Sequence, residues 1–303
     1  MQDRNISGIL VIDKPQGVTS HDMVGLCRKL YGTRKVGHAG TLDPMATGVL
    51  VMLIGRAAKA SDFLLEKIKT YKTTLRFGIA TDTQDITGEV IASSDRQPVR
   101  EVLDAALPSF RGEILQIPPM YSALKRNGQK LYDLARQGIE IDREARPVTI
   151  YELALTDFRN SDLLTEADLT VTCSKGTYIR TLCNDIGEAV GCYGTMAALR
   201  RTKAGMFTLS HAVTPDRLKE MSQEERDALL LPIEDAFADL PAVKLPAFFA
   251  KLAHCGQQIY QKKIGTHLAE GEMIRFFDDN GFFALGEVQT FEDGSAIKPI
   301  KQF

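Results

Sequence analysis

The sequence predicts a mixed α+β fold that ends in a small β-rich module. Strand and helix patterns interleave along the 303 residues, but they lack the regular β-α-β spacing of a doubly wound sheet. After Pro246 the pattern changes to short apolar runs separated by turn residues. We therefore expect a large domain over residues 1–240 and a small one over 246–303, joined by a linker at Pro241–Pro246.

Local signals in the first third predict strands alternating with helices. Thr19 is a typical N-cap residue, and apolar runs bounded by polar turns are typical of buried strands. In order, the predicted elements are a strand at Gly8–Asp13, a helix from Thr19-Ser20 to about Leu30, a strand at Val49–Ile54, a helix at Arg56–Lys69 and a strand at Tyr71–Phe77.

The remaining elements follow from the same rules. They are a polar turn at Thr81–Gly88, a helix at Val99–Leu107, a break at Ile117–Met120, a helix at Tyr121–Gln137 stopped by Gly138, strands at Val148–Asp157 and Leu169–Cys173, a helix at Thr177–Val190 closed by Gly191, mixed strand and turn over 196–210, and a partly helical stretch over 215–239. In the small module, Met273–Phe277 and Phe282–Val288 flank a turn-rich tetrapeptide, which predicts a hairpin.

Composition excludes several classes of protein. A hydrophobic content of 44% and a charged content of 25% are ordinary for a globular protein, and no apolar run is long enough to span a membrane. The five cysteines form no CxxC pair, which argues against a zinc site and a disulfide framework and favours the reducing cytoplasm. No metal-ligand spacing is visible, and without a nucleotide-binding loop a nucleotide cofactor gains no support.

The net charge of −2 conceals an uneven distribution. Residues 215–239 carry eight acids and three bases, so the rest of the chain is net positive. The total argues mildly against a nucleic-acid binder, but an acidic segment can hide a cationic face from it, and each basic cluster could also be an ordinary solvated surface. The clusters are Arg28, Lys29, Arg34 and Lys35; Lys67, Lys69 and Lys72; Lys125, Arg126 and Lys130; and Arg200, Arg201 and Lys203.

One loop places a single carboxylate in an unusual backbone setting. Asp43 follows Gly37-His38-Ala39-Gly40-Thr41-Leu42 and precedes Pro44. Glycine permits backbone angles that other residues resist, and proline pushes the residue before it toward an extended conformation. Asp43 is therefore a candidate nucleophile, and the alternative is a turn in which it caps backbone amides.

Five motifs in order resemble the TruB-type tRNA pseudouridine synthases. They extend from Gly8 to Thr202 and are GILVIDKPQGVTS from Gly8, VGHAGTLDPMATG from Val36, Tyr71 with Gly78 and TDTQD from Thr81, PPMYSALK from Pro118, and SKGTYIRTL from Ser174 followed by LRRT from Leu199. The last residues, around Gly256–Ile259 and Phe283–Val288, more loosely resemble the PUA-type RNA-binding domain of these enzymes.

The resemblance implies a pseudouridine synthase fold with a mainly antiparallel central sheet and flanking helices. It implies isomerisation of uridine-55 in the T arm of tRNA, with base flipping and exchange of the C–N glycosidic bond for a C–C bond. The residues 118–147 resemble an insertion that grips the RNA stem-loop. No cofactor, no membrane and no obligatory protein partner is implied, and a monomer is the default.

The resemblance also assigns roles to individual residues. Asp43 is the nucleophile, and Arg180 pairs with it through a planar fork suited to a carboxylate. Tyr71 stacks on the target base and lies near its ring carbons during proton removal; without the motif it would be an ordinary strand tyrosine. Whether Asp43 attacks the ribose or the uracil ring stays open.

The remaining assigned residues bind the substrate or shape the site. His38 assists base flipping, Tyr178 and Leu199 line the uracil pocket, and Asp85 organises the loop through hydrogen bonds. Lys14 is mainly structural and close enough to touch the RNA. Without the motifs, His38 would be a solvated loop histidine, and Tyr178 and Leu199 would be core residues.

Three other functions stay open. One is an RNA-folding or RNA-binding protein in which catalysis is secondary. Another is the related guide-RNA-dependent subunit, against which the insertion near Tyr121–Gly138 argues. The third is a hydrolytic glycosidase, which is disfavoured because no second carboxylate is clearly placed as the acid.

Overall fold

The computed structural model describes residues 4–122, 124–126, 128–161 and 164–303. Two sheets dominate it, and the smaller one lies at the C-terminal end. The predicted α+β class with a small β-rich C-terminal domain is confirmed.

Strands account for most of the regular structure. They are β1 (Gly8–Lys14), β2 (Val36–Ala39), β3 (Thr47–Ile54), β4 (Lys69–Phe77), β5 (Ile79–Thr81), β6 (Val90–Ser93), β7 (Gly112–Gln116), β8 (Lys125–Arg126), β9 (Gln129–Lys130), β10 (Arg146–Asn160), β11 (Thr165–Cys173), β12 (Gly194–Ala204), β13 (Phe207–Thr208), β14 (Ala242–Lys244), β15 (Ile259–Tyr260), β16 (Met273–Asp278), β17 (Gly281–Phe291) and β18 (Gly294–Gln302).

The α-helices are shorter and lie against the sheets. They are α1 (Ser20–Tyr31), α2 (Ser61–Leu65), α3 (Arg100–Ala106), α4 (Leu131–Ala135), α5 (Ile179–Ala189), α6 (Pro215–Glu220), α7 (Gln223–Ala228), α8 (Ala247–His254) and α9 (Gln261–Ile264). Among the described residues, none of these helices is long and apolar enough to cross a membrane.

The large sheet places strands from distant parts of the chain side by side. Its order is β1-β3-β12-β4-β11-β10-β7, with β2 and β13 attached at β3 and β12. The pairing is antiparallel except between β12 and β3. In β4 and β11 every second residue is buried, so one face of each strand packs into the core. The expected mainly antiparallel sheet is therefore confirmed.

Two helices show why local sequence predicted them well. At α1 the Thr19 side chain accepts a bond from the Asp22 backbone, the Asp22 side chain accepts one in return, and Gly32 closes the helix in the left-handed region. Helix α5 packs a strongly apolar face against β12, with Leu182, Cys183 and Ile186 fully buried.

The C-terminal domain is a five-stranded sheet of order β14-β16-β17-β18-β15. The predicted hairpin is present as β16 and β17. The interpretation of Pro241–Pro246 as a linker is wrong, because β14 pairs in parallel with β16 and belongs to this sheet. The segment is too short and proline-flanked to be recognised alone; the ladder supplied by β16 makes it a strand.

An aromatic cluster joins the two domains. The Phe237 ring, 1% exposed, lies 5.9 Å from that of Phe303 and 6.3 Å from that of Phe282. The Arg56 guanidinium also donates to the Phe303 carbonyl, at 3.4 Å. The small domain is therefore packed against the large one through buried apolar surface.

Two helix predictions were wrong in extent. The Tyr121–Gln137 segment contains bends, the β8–β9 hairpin and only the short helix α4; Ala123 and Asn127 lie outside the described residues. Asn-Gly favours a two-residue hairpin turn, and Gly128 has φ 82°, so this signal outweighs the helical spacing. The predicted helix at Arg56–Lys69 ends earlier, at Leu65, and Lys69 already belongs to β4.

Candidate active site

A cleft of about 910 Å³ opens where the loop before β3, the strands β4 and β12, the turn after β5 and the start of α5 meet. Six of the predicted site residues line it: Asp43, Tyr71, Asp85, Tyr178, Arg180 and Leu199. His38 and Lys14 lie outside this lining. Segments far apart in sequence thus converge on one concave surface of a size typical of ligand sites.

The Asp43 loop is held in shape by backbone bonds and glycine geometry. The Asp43 carbonyl accepts a bond from the Ala46 amide at 3.0 Å. Gly40 and Gly48, on either side, have φ 92° and 101°, which other residues rarely adopt. The Asp43 side chain is 38% exposed and points into the cleft, so the loop presents a carboxylate instead of using it as a cap.

Arg180 is the cationic partner of Asp43. Its Nε atom lies 3.1 Å from Asp43 Oδ2, and its side chain is only 6% exposed. Its two terminal nitrogens donate to the carbonyls of Thr83 and Tyr121, at 3.0 and 2.8 Å. The two carbonyls therefore fix the guanidinium, and its Nε edge is left for the carboxylate.

Asp85 organises the turn after β5. Its Oδ1 atom accepts bonds from the Thr87 amide at 3.0 Å, the Thr87 hydroxyl at 2.5 Å and the Thr83 hydroxyl at 3.1 Å. Its Oδ2 atom lies 3.8 Å from Arg180. The backbone beside it pairs with Met196 of β12. Asp85 thus links the turn to Arg180.

Tyr71 and Leu199 come from adjacent strands. Tyr71 of β4 is 8% exposed and lies opposite Arg201 of β12, while Leu199 lies opposite Thr73. Burial raises the pKa of the Tyr71 hydroxyl, and the nearby Arg201 guanidinium opposes that rise. The pair forms an aromatic and apolar wall, where a flat base can be held.

Tyr178, the residue just before helix α5, is positioned by a side chain from strand β7. Gln116 of β7 accepts a bond from the Tyr178 amide at 3.0 Å and donates to its carbonyl at 3.2 Å. This reciprocal pair replaces a side-chain cap at the start of α5. Burial raises the pKa of the Tyr178 hydroxyl. Gln116 was not singled out from the sequence, since only the fold brings β7 to α5.

His38 lies on β2, outside the cleft lining. It is half-buried and faces Met52 of β3 in the ladder. Its Nδ1 atom is buried and has no hydrogen-bond partner among the described residues. Burial, followed by the charges of Arg201 and His21, lowers the pKa of the imidazole. The ring is thus a neutral, partly covered group near the loop that carries Asp43.

Lys14 has no exposed surface, so the expectation that it touches RNA is not met by its position. Its ammonium donates to the carbonyls of Pro15, Val18 and Pro44, at 2.9, 2.7 and 3.3 Å. Burial lowers its pKa to about 8, although the Asp43 charge opposes this. Lys14 therefore holds in place the backbone next to Asp43.

Two cations assigned to surface clusters are instead buried in the cleft. Lys69, 7% exposed, donates to the carbonyls of Leu65 and Lys67, at 2.6 and 2.7 Å, and burial lowers its pKa to about 8. Arg201 is 1% exposed. Strand periodicity could have found Lys69, because residues two apart on a strand share a face and Tyr71 is buried.

The arrangement suits chemistry at a carboxylate in a partly dry cleft. The Asp43 carboxylate has a fixed cation beside it and an aromatic wall opposite, which is how an enzyme stabilises a covalent or ionic intermediate at an anomeric carbon. Within the described part of the chain, no group of three or more His, Cys, Asp or Glu side chains is placed to hold a metal ion.

Two family models together match residues 28–238 of this chain. The family model of the TruB family pseudouridylate synthase N-terminal domain matches residues 28–179, and that of the tRNA pseudouridylate synthase B C-terminal domain matches residues 180–238. A protein named tRNA pseudouridine synthase B from Burkholderia mallei is 45% identical over 92% of this chain and 91% of its own. One from Saccharophagus degradans is also 45% identical, over 94% and 93%.

Solved structures show the same fold at lower identity. The crystal structure of a Cbf5-Nop10-Gar1 complex contains a chain with a TM-score of 0.73 and 24% identity, covering 97% of this chain and 84% of its own. An H/ACA RNP bound to a substrate RNA containing 2′-deoxyuridine gives a TM-score of 0.71 at 23% identity, covering 98% and 84%. At this identity the likeness concerns architecture alone. The domain matches and the 45% identical relatives, in contrast, show that the chain belongs to the TruB family of tRNA pseudouridine synthases.

Proposed function

We propose that this isomerase converts uridine-55 in the T arm of tRNA to pseudouridine. Family membership establishes pseudouridine formation in tRNA; the position, the mechanism and the residue roles are our proposal. The observation that carries it is the ion pair of the half-exposed Asp43 with the buried Arg180, at 3.1 Å, inside the cleft. The proposed place of action is the cytoplasm.

Asp43 acts as the nucleophile that allows the C–N glycosidic bond to break. The bonding electron pair leaves with the uracil, the base turns within the cleft, and its C5 atom forms the new bond to the ribose. The proton on C5 is then lost and N1, which kept the electron pair of the broken bond, gains a proton, so the product is an isomer of the substrate. Asp43 is released unchanged, whether it adds to the ribose or to the uracil ring.

The neighbouring groups support each stage. When the bound base displaces water from Asp43, the charge of Arg180 stabilises the ionised carboxylate in place of that water. Tyr71 stacks on the base, a contact worth roughly 1–3 kcal/mol, and this partly offsets the few kcal/mol needed to extrude it. Tyr178 and Leu199 enclose the detached uracil, and His38 assists flipping from the neighbouring strand.

Binding of the T arm is proposed to use the surface around the cleft. The insertion at residues 118–147 grips the stem-loop, and exposed cations contact phosphates, which position the RNA without reading its sequence. The domain over 246–303, extended by β14, adds RNA-binding surface. The enzyme is proposed to act as a monomer without a protein partner, as 45% identity to bacterial synthases favours.

The decisive experiment replaces Asp43 with Asn and assays the purified chain alone on a T-arm stem-loop. Pseudouridine at the position of uridine-55 is mapped chemically, and RNA binding is measured on the same samples. Asp104→Asn is the matched control, because Asp104 is exposed and pairs with Arg100 on the surface. We expect Asp43→Asn to abolish the product while binding stays within about threefold, and Asp104→Asn to change neither.

Other outcomes identify the rival functions. Normal product from Asp43→Asn would remove Asp43 from the mechanism. Wild-type chain that binds the stem-loop and alters its structure without forming pseudouridine would be an RNA-folding protein. Activity that requires added guide RNA and proteins would contradict the stand-alone proposal, and released uracil would indicate a glycosidase.

A further inference from the structure

Arg201 is a buried cation without a carboxylate partner among the described residues. It lies on β12, is 1% exposed, and lines the cleft. Charged side chains are almost never fully buried unless their hydrogen bonds are satisfied, because removing a charge from water costs several kcal/mol. Because Arg201 carries this cost inside the cleft, we expect its side chain to have a specific function there.

The guanidinium donates to two carbonyls on either side of Asp43. Its Nε atom donates to the Val49 carbonyl at 2.7 Å, and its Nη2 atom donates to the Gly40 carbonyl at 3.0 Å. The Val49 carbonyl belongs to the third residue of β3, and Gly40 is the first residue of the Asp43 loop after β2. Arg201 thus bridges both ends of the loop, like a clamp across its base.

The glycines of the loop make room for this clamp. A Cβ atom on Gly40 would lie 3.3 Å from Arg201 Nη1, and one on Gly48 would lie 2.2 Å from the Arg201 carbonyl oxygen. A side chain at Gly40 would push the Arg201 guanidinium away from the loop, and one at Gly48 would push away the backbone of β12. The glycines are therefore needed for the approach of Arg201 as well as for their positive φ angles.

The same side chain acts on Tyr71. Tyr71 and Arg201 are directly opposite in the β4–β12 ladder. The Arg201 guanidinium favours the ionised form of the Tyr71 hydroxyl, against the effect of burial. One planar group thus touches the loop that carries the nucleophile and the ring that faces the base.

We propose that Arg201 is a positioning residue that fixes the Asp43 loop relative to the Tyr71 hydroxyl while the detached uracil turns. The inference rests on the proposed roles of Asp43 and Tyr71. The fork of an arginine serves both carbonyls and the tyrosine at once, whereas a lysine ammonium is a single point charge that cannot reach all three. Misplacement of reacting groups by about 1 Å costs up to 100-fold in rate.

The test uses Arg201→Met, Arg201→Lys, Tyr71→Phe and the Arg201→Met/Tyr71→Phe double variant. Single-turnover rate constants and dissociation constants are measured on the T-arm stem-loop. We expect Arg201→Met to lower the rate constant about 10- to 100-fold with binding within about threefold, and Arg201→Lys to recover part of the loss. Because Arg201 acts partly through the hydroxyl, the double variant should lose less than the product of the two single losses.

The control is Arg76→Met. Arg76 lies on β4, pairs with Glu166, and is not part of the cleft lining, so its loss should reduce stability without changing the rate constant of folded enzyme. Carbon-13 NMR of the tyrosine Cζ atoms, assigned with Tyr71→Phe, adds a readout that also works if Arg201→Met folds poorly but Arg201→Lys folds. We expect the Tyr71 signal to titrate at a higher pH in Arg201→Lys.

Three results would overturn the inference: an unchanged rate constant in folded Arg201→Met, multiplicative losses in the double variant, or an unmoved Tyr71 signal. Asp43→Asn, run in parallel, separates this failure from that of the proposed function. If Asp43→Asn is inactive while Arg201→Met is normal, only the role of Arg201 is wrong. If Asp43→Asn is active, the proposed mechanism itself fails.

Discussion

Arg180 meets Asp43 through a single edge of its guanidinium, with Nε 3.1 Å from Oδ2. The other nitrogens are committed to the carbonyls of Thr83 and Tyr121. The cation is thus anchored by two backbone carbonyls in addition to Asp43. In the proposed mechanism, Asp43 exchanges its contacts during the reaction while Arg180 stays held by these carbonyls.

Arg180→Lys should reduce the single-turnover rate constant at least about 100-fold while the chain stays folded. A lysine keeps the charge but cannot serve two carbonyls and the carboxylate in one plane. Arg111→Lys is the matched control, because Arg111 donates in fork fashion to the Leu153 carbonyl away from the cleft. Equal rate constants for wild type and Arg180→Lys would show that charge alone suffices.

Gly48→Ala should destabilise the fold by about 4 kcal/mol or more, measured by urea unfolding. Its Cβ would lie 2.2 Å from the Arg201 carbonyl oxygen, at a φ of 101°. Gly17→Ala is the control: it has a φ of 86° but nothing within 4 Å of its Cβ. It should cost only about 1–2 kcal/mol of backbone strain. Equal losses would show that φ, and not the approach of β12, dominates.

His38 should make stability depend on pH below about 6.5. Burial lowers its pKa in the fold, so on acidification the unfolded chain binds a proton before the folded one does. The free energy of unfolding should therefore fall from pH 7 toward the lower pKa, because the unfolded state binds more protons. In His38→Asn this contribution is absent.

The measurement is urea unfolding of wild type and His38→Asn between pH 7.5 and 5. The stability of wild type relative to His38→Asn should decline across this range. His267→Asn, which removes an exposed imidazole, is the control. A constant difference between wild type and His38→Asn would contradict the buried neutral state of His38.

Phe237→Ala should cost about 3–5 kcal/mol, because its ring fills the core shared by both domains. Phe248→Ala, which removes a ring that is 67% exposed, should change stability by no more than about 0.5 kcal/mol. Thermal unfolding followed by circular dichroism gives both values. A second transition in Phe237→Ala would show that the small domain then unfolds independently, whereas an unchanged curve would contradict the shared core.

Local sequence signals predicted the elements that local interactions determine. Thr19, Asp22 and Gly32 cap α1 with their own side chains and backbone, and the alternation in β4 follows from one buried face. The hairpin of β16 and β17 was likewise visible in a turn-rich tetrapeptide. Such signals need no knowledge of the rest of the fold.

Other features depend on partners far away in sequence. The β14 segment becomes a strand only because β16 lies beside it, and Gln116 supports Tyr178 only because β7 reaches α5. Arg201 follows Arg200, which pairs with Asp13 at the surface edge; neighbouring letters in a basic cluster thus have opposite environments. The family resemblance was enough to single out six residues that line the cleft. It did not single out Arg201, whose burial becomes visible only from the pairing of β12 with β4.

The position of β12 between β3 and β4 also has a consequence for synthesis of the protein. A growing chain makes Asp43 and Tyr71 more than a hundred residues before Ala204, a delay on the order of ten seconds at ordinary translation rates. During that time the edges of β3 and β4 that later pair with β12 lack their partner. The cleft also lacks the side that β12 contributes through Leu199 and Arg201. The nascent chain is therefore inactive and exposes strand edges to wrong pairing until its central strand is made.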